Sequence, residues 1–187
     1  MDRKKFLSTS LKLGFCSSAL LALNLDNLAA SATTTDEKLE RLQNEKEFIV
    51  NWLTDLLNTM DVRLNQETKV KLIEGCGVGC FNRHKFKKDI AAKGHGDVAK
   101  LLDAYKQNFE VWRDGDEVHI RYGEVSKLCY CPAAQNIPPK PNDIHCECTR
   151  MTHQTIFETA LGRPFKTEIV ETLRRGGKTC HFVVHLS

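Results

Sequence analysis

Six of the eight cysteines of this chain come in close pairs, Cys76-x3-Cys80, Cys129-x-Cys131 and Cys146-x-Cys148, and Cys180 stands alone near the C-terminus. A close pair can offer two thiolates to one metal or cluster, whereas a bond within Cys-x-Cys closes a very small, strained ring. The spacing therefore points to a thiol site assembled from separate segments. It leaves the chemistry of that site open.

The eighth cysteine, Cys16, belongs to a different kind of segment. Asp2-Arg3-Lys4-Lys5 is positively charged, residues 13–25 are mostly apolar and uncharged, and Ala30-Ser31-Ala32 supplies small residues before Thr33-Thr34-Thr35. This is the anatomy of a cleavable export signal, with an apolar run too short to span a bilayer comfortably. Arg3-Lys4-Lys5-Phe6-Leu7 resembles the twin-arginine pattern with lysine at the second arginine, so a twin-arginine-like or a Sec route both stay open. Phe15 is too bulky to precede a lipidated cysteine, which sets a lipoprotein reading of Cys16 aside. The expected organisation is a signal over residues 1–32, engaging the export machinery, and one cysteine-rich domain over residues 33–187. The expected location is periplasmic or otherwise extracytoplasmic.

Cleavage after Ala32 would remove four basic and two acidic residues from totals of 27 and 24, leaving 23 and 22 on 155 residues. A net charge of +1 gives no electrostatic argument for nucleic acid or an anionic membrane. No second long apolar run follows, so the mature domain is not expected to span a membrane.

Apolar residues recur with helical spacing over residues 36–61 (Leu39, Leu42, Phe48, Ile49, Leu53, Leu56 and Leu57), which predicts one long amphipathic helix. A second helix is expected from Gln66 towards Cys76, capped by Asn65, with Gly75, Gly77 and Gly79 loosening its end. A third is expected over residues 97–109. The period then changes to two: Val118, Ile120 and Tyr122 alternate after an Asp114-Gly115 turn, which reads as a hairpin over residues 111–122. Pro132, Pro138, Pro139 and Pro141 make an extended loop leading to Cys146, and residues 149–161 are again helical up to Gly162. Residues 165–173 and 179–186, joined around Arg175-Gly176-Gly177, predict a closing β-hairpin. The fold class is α+β, with N-terminal helices packed on an antiparallel sheet that ends in a C-terminal β-hairpin.

This outline places the thiols. Cys76 and Cys80 would share a helix face with His84, or sit in a glycine loop whose amides point at an anion or cluster sulfurs. Cys129 and Cys131 would face one side of an extended segment. Cys146 and Cys148 open a helix, whose positive end favours the thiolate, so they are expected to be more exposed and more acidic than Cys180. Cys180 shares the core-facing side of the last strand with Phe182, Val184 and Leu186, opposite His181, Val183 and His185. Among the other histidines, His145 beside Cys146 has the claim to ligand or supporting duty. His95 is expected in an exposed loop and His119 on a solvated strand face.

Three chemistries fit these cysteines. One is a metal or iron–sulfur site, with zinc or a cluster as cofactor and Cys76, Cys80, Cys129, Cys131, Cys146, Cys148 and Cys180 as candidate ligands; none of their spacings is that of a zinc finger. Another is a disulfide-stapled binding module without catalysis, for which six cysteines allow fifteen connectivities and a seventh remains free. The third is a redox or nucleophilic thiol, although no Cys-x-x-Cys is present and no catalytic residue is fixed by position.

The order Cys129-Tyr130-Cys131-Pro132, Cys146-Glu147-Cys148, Phe157-Glu158, Gly162-Arg163-Pro164 and Gly176-Gly177-Lys178-Thr179-Cys180-His181-Phe182 resembles a cysteine-rich bacterial family without assigned function. More remotely it is similar to 4-vinyl reductase domains and to the family named for L-2-amino-thiazoline-4-carboxylate hydrolase. The resemblance covers about residues 125–187, with an upstream echo from Gly75-Cys76-Gly77 to Cys80. It implies a small-molecule-binding α+β domain with cysteines facing a pocket. It also implies a runner-up activity, hydrolysis of a small heterocyclic or amide substrate.

Overall fold

The computed structural model describes residues 22–135 and 137–187, with side chains from Thr35 onward. Residues 1–21 of the expected leader, which spans residues 1–32, lie outside the described residues. The chain divides into two compact units, residues 1–49 and 50–187, and the first helix, α1 (Ala22–Arg63), runs through the division. That helix therefore begins upstream of the expected start at Asp36. Among the described residues no helix is long and apolar enough to cross a membrane. The second unit carries the sheet and all seven described cysteines.

In that unit α1 is followed by α2 (Gln66–Arg83), α3 (Lys85–Lys93) and α4 (Val98–Tyr105). Each start has a local cause. The Asn65 side chain accepts from the Thr68 amide, and Asp97 accepts from those of Ala99 and Lys100, satisfying amides that the first helical turn leaves without partners. Two expectations are corrected here. The third helix spans Val98–Tyr105 rather than residues 97–109, and the separate helix α3 precedes it.

The larger correction concerns α2, which does not loosen at its glycines but continues through Gly75, Gly77 and Gly79 to Arg83. Each glycine costs about 1 kcal/mol of helix propensity relative to alanine. Packing supplies the compensation: Ile73, Gly77 and Phe81 are buried four residues apart on one face, and Gly77 lets the backbone approach α5 (His145–Leu161) closely. The glycine-loop arrangement of Cys76 and Cys80 is thereby excluded.

The sheet is built as expected, from two hairpins placed side by side. Strands β1 (Glu110–Asp114) and β2 (Glu117–Arg121) turn at Gly115, whose φ of 56° suits glycine. Strands β3 (Lys166–Glu171) and β4 (His181–His185) are joined through a 3-10 turn (Leu173–Arg175) that ends at left-handed Gly176. All neighbours are antiparallel in the order β1-β2-β4-β3, with Ile120 opposite Phe182 and Val118 opposite Val184. All four side chains are buried; Val118, Ile120 and Val184 share one cluster with Phe81, Ile90, Leu101, Tyr105, Ile156 and Phe157 of the helices, and the Phe182 ring meets that of His153. Full burial of each such apolar side chain contributes roughly 1.5–3 kcal/mol. A second apolar cluster joins Leu57 and Met60 of α1 to Ile73 and Ile144.

Helix α5 begins at His145, four residues before the expected Thr149, and stops at left-handed Gly162, whose amide donates to the Glu158 carbonyl. Cys146 and Cys148 thus lie in its first turn. On the outer sheet face His119 is not simply solvated. It stacks on Trp112 with ring centroids 4.8 Å apart, and its Nδ1 lies 3.1 Å from Nε2 of His181. His95 is exposed, as expected.

Candidate functional site

The cysteines reach the site from four places: Cys80 on the last turn of α2, Cys129 and Cys131 in the irregular segment after β2, Cys146 and Cys148 on α5, and Cys180 just before β4. They line two cavities. The outer one, of about 610 Å³, has Cys80, Cys131 and Cys148 in its wall, one from each sequence pair. The inner one, of about 30 Å³, is lined by Cys129, Cys131, Cys146 and Cys180. Cys131, Tyr122, Tyr130 and Thr149 belong to both walls. Cys76 lies on the exposed side of α2 and lines neither cavity, although a charge on it would raise the Cys148 thiol.

All seven described thiols are free. Burial pushes Cys146 and Cys148 up to about 12, and it also raises Cys131 and Cys180, with neighbouring thiols adding to each shift. The expectation that Cys146 and Cys148 are more acidic than Cys180 is therefore corrected, because at these positions desolvation outweighs the helix end-charge. The expected greater exposure holds for half-buried Cys148 and fails for Cys146, which is 6% exposed against 8% for Cys180. Among the described residues no three His, Cys, Asp or Glu side chains already surround a common point as metal ligands do.

Two polar networks border the sulfurs. Neither is legible in the sequence. In the outer cavity, Lys87 Nζ donates to Cys80 Sγ at 2.8 Å. His153, 1% exposed, is held between two tyrosines, with Nδ1 3.2 Å from the Tyr105 hydroxyl and Nε2 3.0 Å from that of Tyr122. Burial, reinforced by the nearby Lys87 charge, pushes His153 down to about 3, and burial raises both tyrosine hydroxyls. The imidazole is thus neutral and fixed. Lys106, Asn108, Thr149, Thr152 and the ion-paired Arg121 and Glu110 add to the polar part of this wall, while Phe86, Phe109 and Ile156 make much of the rest apolar.

The second network lies behind the inner cavity. Asp143, fully buried, accepts from Arg174 Nε at 2.9 Å and from a terminal guanidinium nitrogen at 2.6 Å through Oδ2. Its Oδ1 accepts from the His145 backbone amide at 2.9 Å and faces His145 Nδ1 at 2.7 Å. Burial alone would raise this carboxyl, but hydrogen bonds from His145 and Arg174 hold it well below the usual carboxylate range. Arg174 also donates to the carbonyls of Ala134, Ile137 and Pro138, tying the proline-rich loop to the network. His145 lines the inner cavity, and its Nε2 is buried without a hydrogen-bond partner.

No family model matches this chain, and no curated protein matches it. The chemistry of the site therefore rests on the side chains themselves. Clustered sulfurs beside an imidazole suit a soft or borderline metal. The larger cavity has the size and the mixed apolar and polar wall of a small-molecule site.

Proposed function

We propose that this chain is an exported domain that binds a metal or iron–sulfur centre, or a small-molecule ligand, through its clustered cysteines. The observation that carries the reading is the meeting of one cysteine from each sequence pair in the wall of a single cavity of about 610 Å³. Ligand cavities of this class run from roughly 300 to 1,000 Å³. Lys87 and Lys106 in the wall favour an acidic ligand, and Phe86 and Phe109 favour one with a flat or apolar body. The test is purification under anaerobic and aerobic conditions, followed by metal analysis, an absorption spectrum and a count of free thiols. A stoichiometric metal or cluster supports the centre. Seven free thiols without metal under both conditions would remove it, and loss of six thiols to disulfides would favour the stapled binding module.

The Lys87–Cys80 contact favours a second reading, a hydrolase of a small heterocyclic or amide substrate with Cys80 as nucleophile. An ammonium beside the sulfur is suited to stabilising a thiolate. The resemblance to the hydrolase family suggests L-2-amino-thiazoline-4-carboxylate as the compound to assay. This reading requires turnover that disappears in Cys80→Ser; no turnover, or activity retained in that variant, removes Cys80 from the role.

A further inference from the structure

We infer that the inner cavity is a mixed nitrogen–sulfur site for a single cation of the zinc class, with His145 Nε2 as its nitrogen ligand. This rests on the metal reading of the cysteines and makes it specific. His145 is 8% exposed, its Nε2 is buried with no hydrogen-bond partner, and the residue lines a cavity whose wall also holds four cysteines, Tyr122, Tyr130, Thr149, Phe182 and Arg174, the last with its charge paired to Asp143. A buried polar atom left without a partner costs about 1–3 kcal/mol, so such an atom on a cavity-lining residue calls for an occupant.

The rest of the imidazole is arranged for ligation. Asp143 Oδ2 takes two bonds from Arg174, so the group is a carboxylate, and a carboxylate only accepts. Nδ1 must then be the donor across its 2.7 Å contact with Oδ1, and in the neutral ring this leaves a lone pair on Nε2. A carboxylate that fixes one ring nitrogen and thereby presents the other is the usual support of a metal-binding histidine. Arg174, itself buried, holds that carboxylate in place.

Size selects among the candidate centres. About 30 Å³ is room for one small ion or one water, whereas a cluster of several iron and sulfide atoms needs several times more. Thiolate and imidazole donors together suit zinc or a neighbouring borderline cation. The donors do not yet surround one point, so binding would draw sulfurs of Cys129, Cys131, Cys146 or Cys180 towards His145 and should raise thermal stability.

The experiment uses the full mature protein, reduced and metal-free, titrated with zinc against a chromophoric chelator and separately with cobalt(II). X-ray absorption on the zinc form counts nitrogen and sulfur neighbours without a variant. One equivalent bound, a mixed nitrogen–sulfur shell, a raised melting temperature, and at least tenfold weaker binding with shifted cobalt bands in a folded His145→Gln protein are expected. An all-sulfur shell, or a His145→Gln protein with unchanged affinity and spectrum, overturns the role of His145 and leaves the metal reading intact. An iron–sulfur cluster in place of a single ion overturns this inference alone. A wild-type protein that binds neither ion nor cluster overturns both.

Discussion

Gly77 of α2 lies against the backbone of α5 so closely that a β-carbon on it would stand 2.4 Å from the Cys148 carbonyl oxygen and 2.8 Å from Met151 Cβ. This contact sets the distance between the two helices that carry Cys80 and Cys148. By helix propensity alone, Gly77→Ala should gain about 1 kcal/mol, but the clash is with backbone and should cost roughly 1–3 kcal/mol or more. Gly75→Ala, with nothing within 4 Å of the added atom, serves as the control and should be neutral or stabilising. Urea denaturation of both variants measures the difference. Equal stability would mean that α2 and α5 do not pack as described.

His153 should make the fold sensitive to mild acid. Its folded-state pKa is about 3 against an ordinary 6.5, so below pH 6.5 the unfolded chain takes up the proton first. Stability from this residue is complete above about pH 6.5 and declines as pH falls towards 3, by an amount on the order of 4 kcal/mol. The proton would have to enter a ring held by Tyr105 and Tyr122 beside the Lys87 charge. Histidine NMR resonances followed from pH 7.5 to 4 should leave His153 neutral throughout. A His153 that titrates near 6.5 in the folded protein would contradict its burial.

Breaking the buried pair of Asp143 and Arg174 should be among the most damaging single changes. Arg174→Met leaves a buried carboxylate with only His145 as partner and three loop carbonyls without their donor. Loss of one member of a buried ion pair typically costs about 3–5 kcal/mol. Hydrogen exchange should also quicken at amides around residues 134–143. A variant within 1 kcal/mol of the parent would show that the loop is held by other means.

Alkylation of the reduced, metal-free protein should order the thiols by burial and not by position along α5. At pH 8, iodoacetamide should modify exposed Cys76 well before Cys146 and Cys148, whose thiols are pushed up to about 12. Peptide mass spectrometry over a time course gives the order. Cys146 reacting first would restore the helix end-charge as the dominant influence there.

Much of the fold was legible because it follows from local rules. Alternation at Val118 and Ile120, and again at Phe182 and Val184, marked strands whose inner faces are buried. Asp114-Gly115 marked the first hairpin turn and Gly162 marked the end of α5. The glycines of α2 misled because propensity is local, whereas the close approach of α5 that suits Gly77 is made by residues more than seventy positions away. The expected acidity of Cys146 failed for a related reason: proximity to a helix start can be read from a sequence, but desolvation cannot.

By itself, the sequence determined the α+β class, the paired strands and the grouping of thiols, because hydrophobic period, turn chemistry and spacing are properties of neighbouring residues. Tertiary structure alone decided that one cysteine from each pair meets in a single cavity, that Lys87 faces Cys80, and that Arg174 and Asp143 hold His145 beside four sulfurs, that of Cys131 shared with the outer cavity. Arg174 and Asp143 are 31 positions apart and Tyr122 and His153 are also 31, and no periodicity links them. Their partnership arises when packing removes water from polar groups and leaves each to find its hydrogen bond inside the protein.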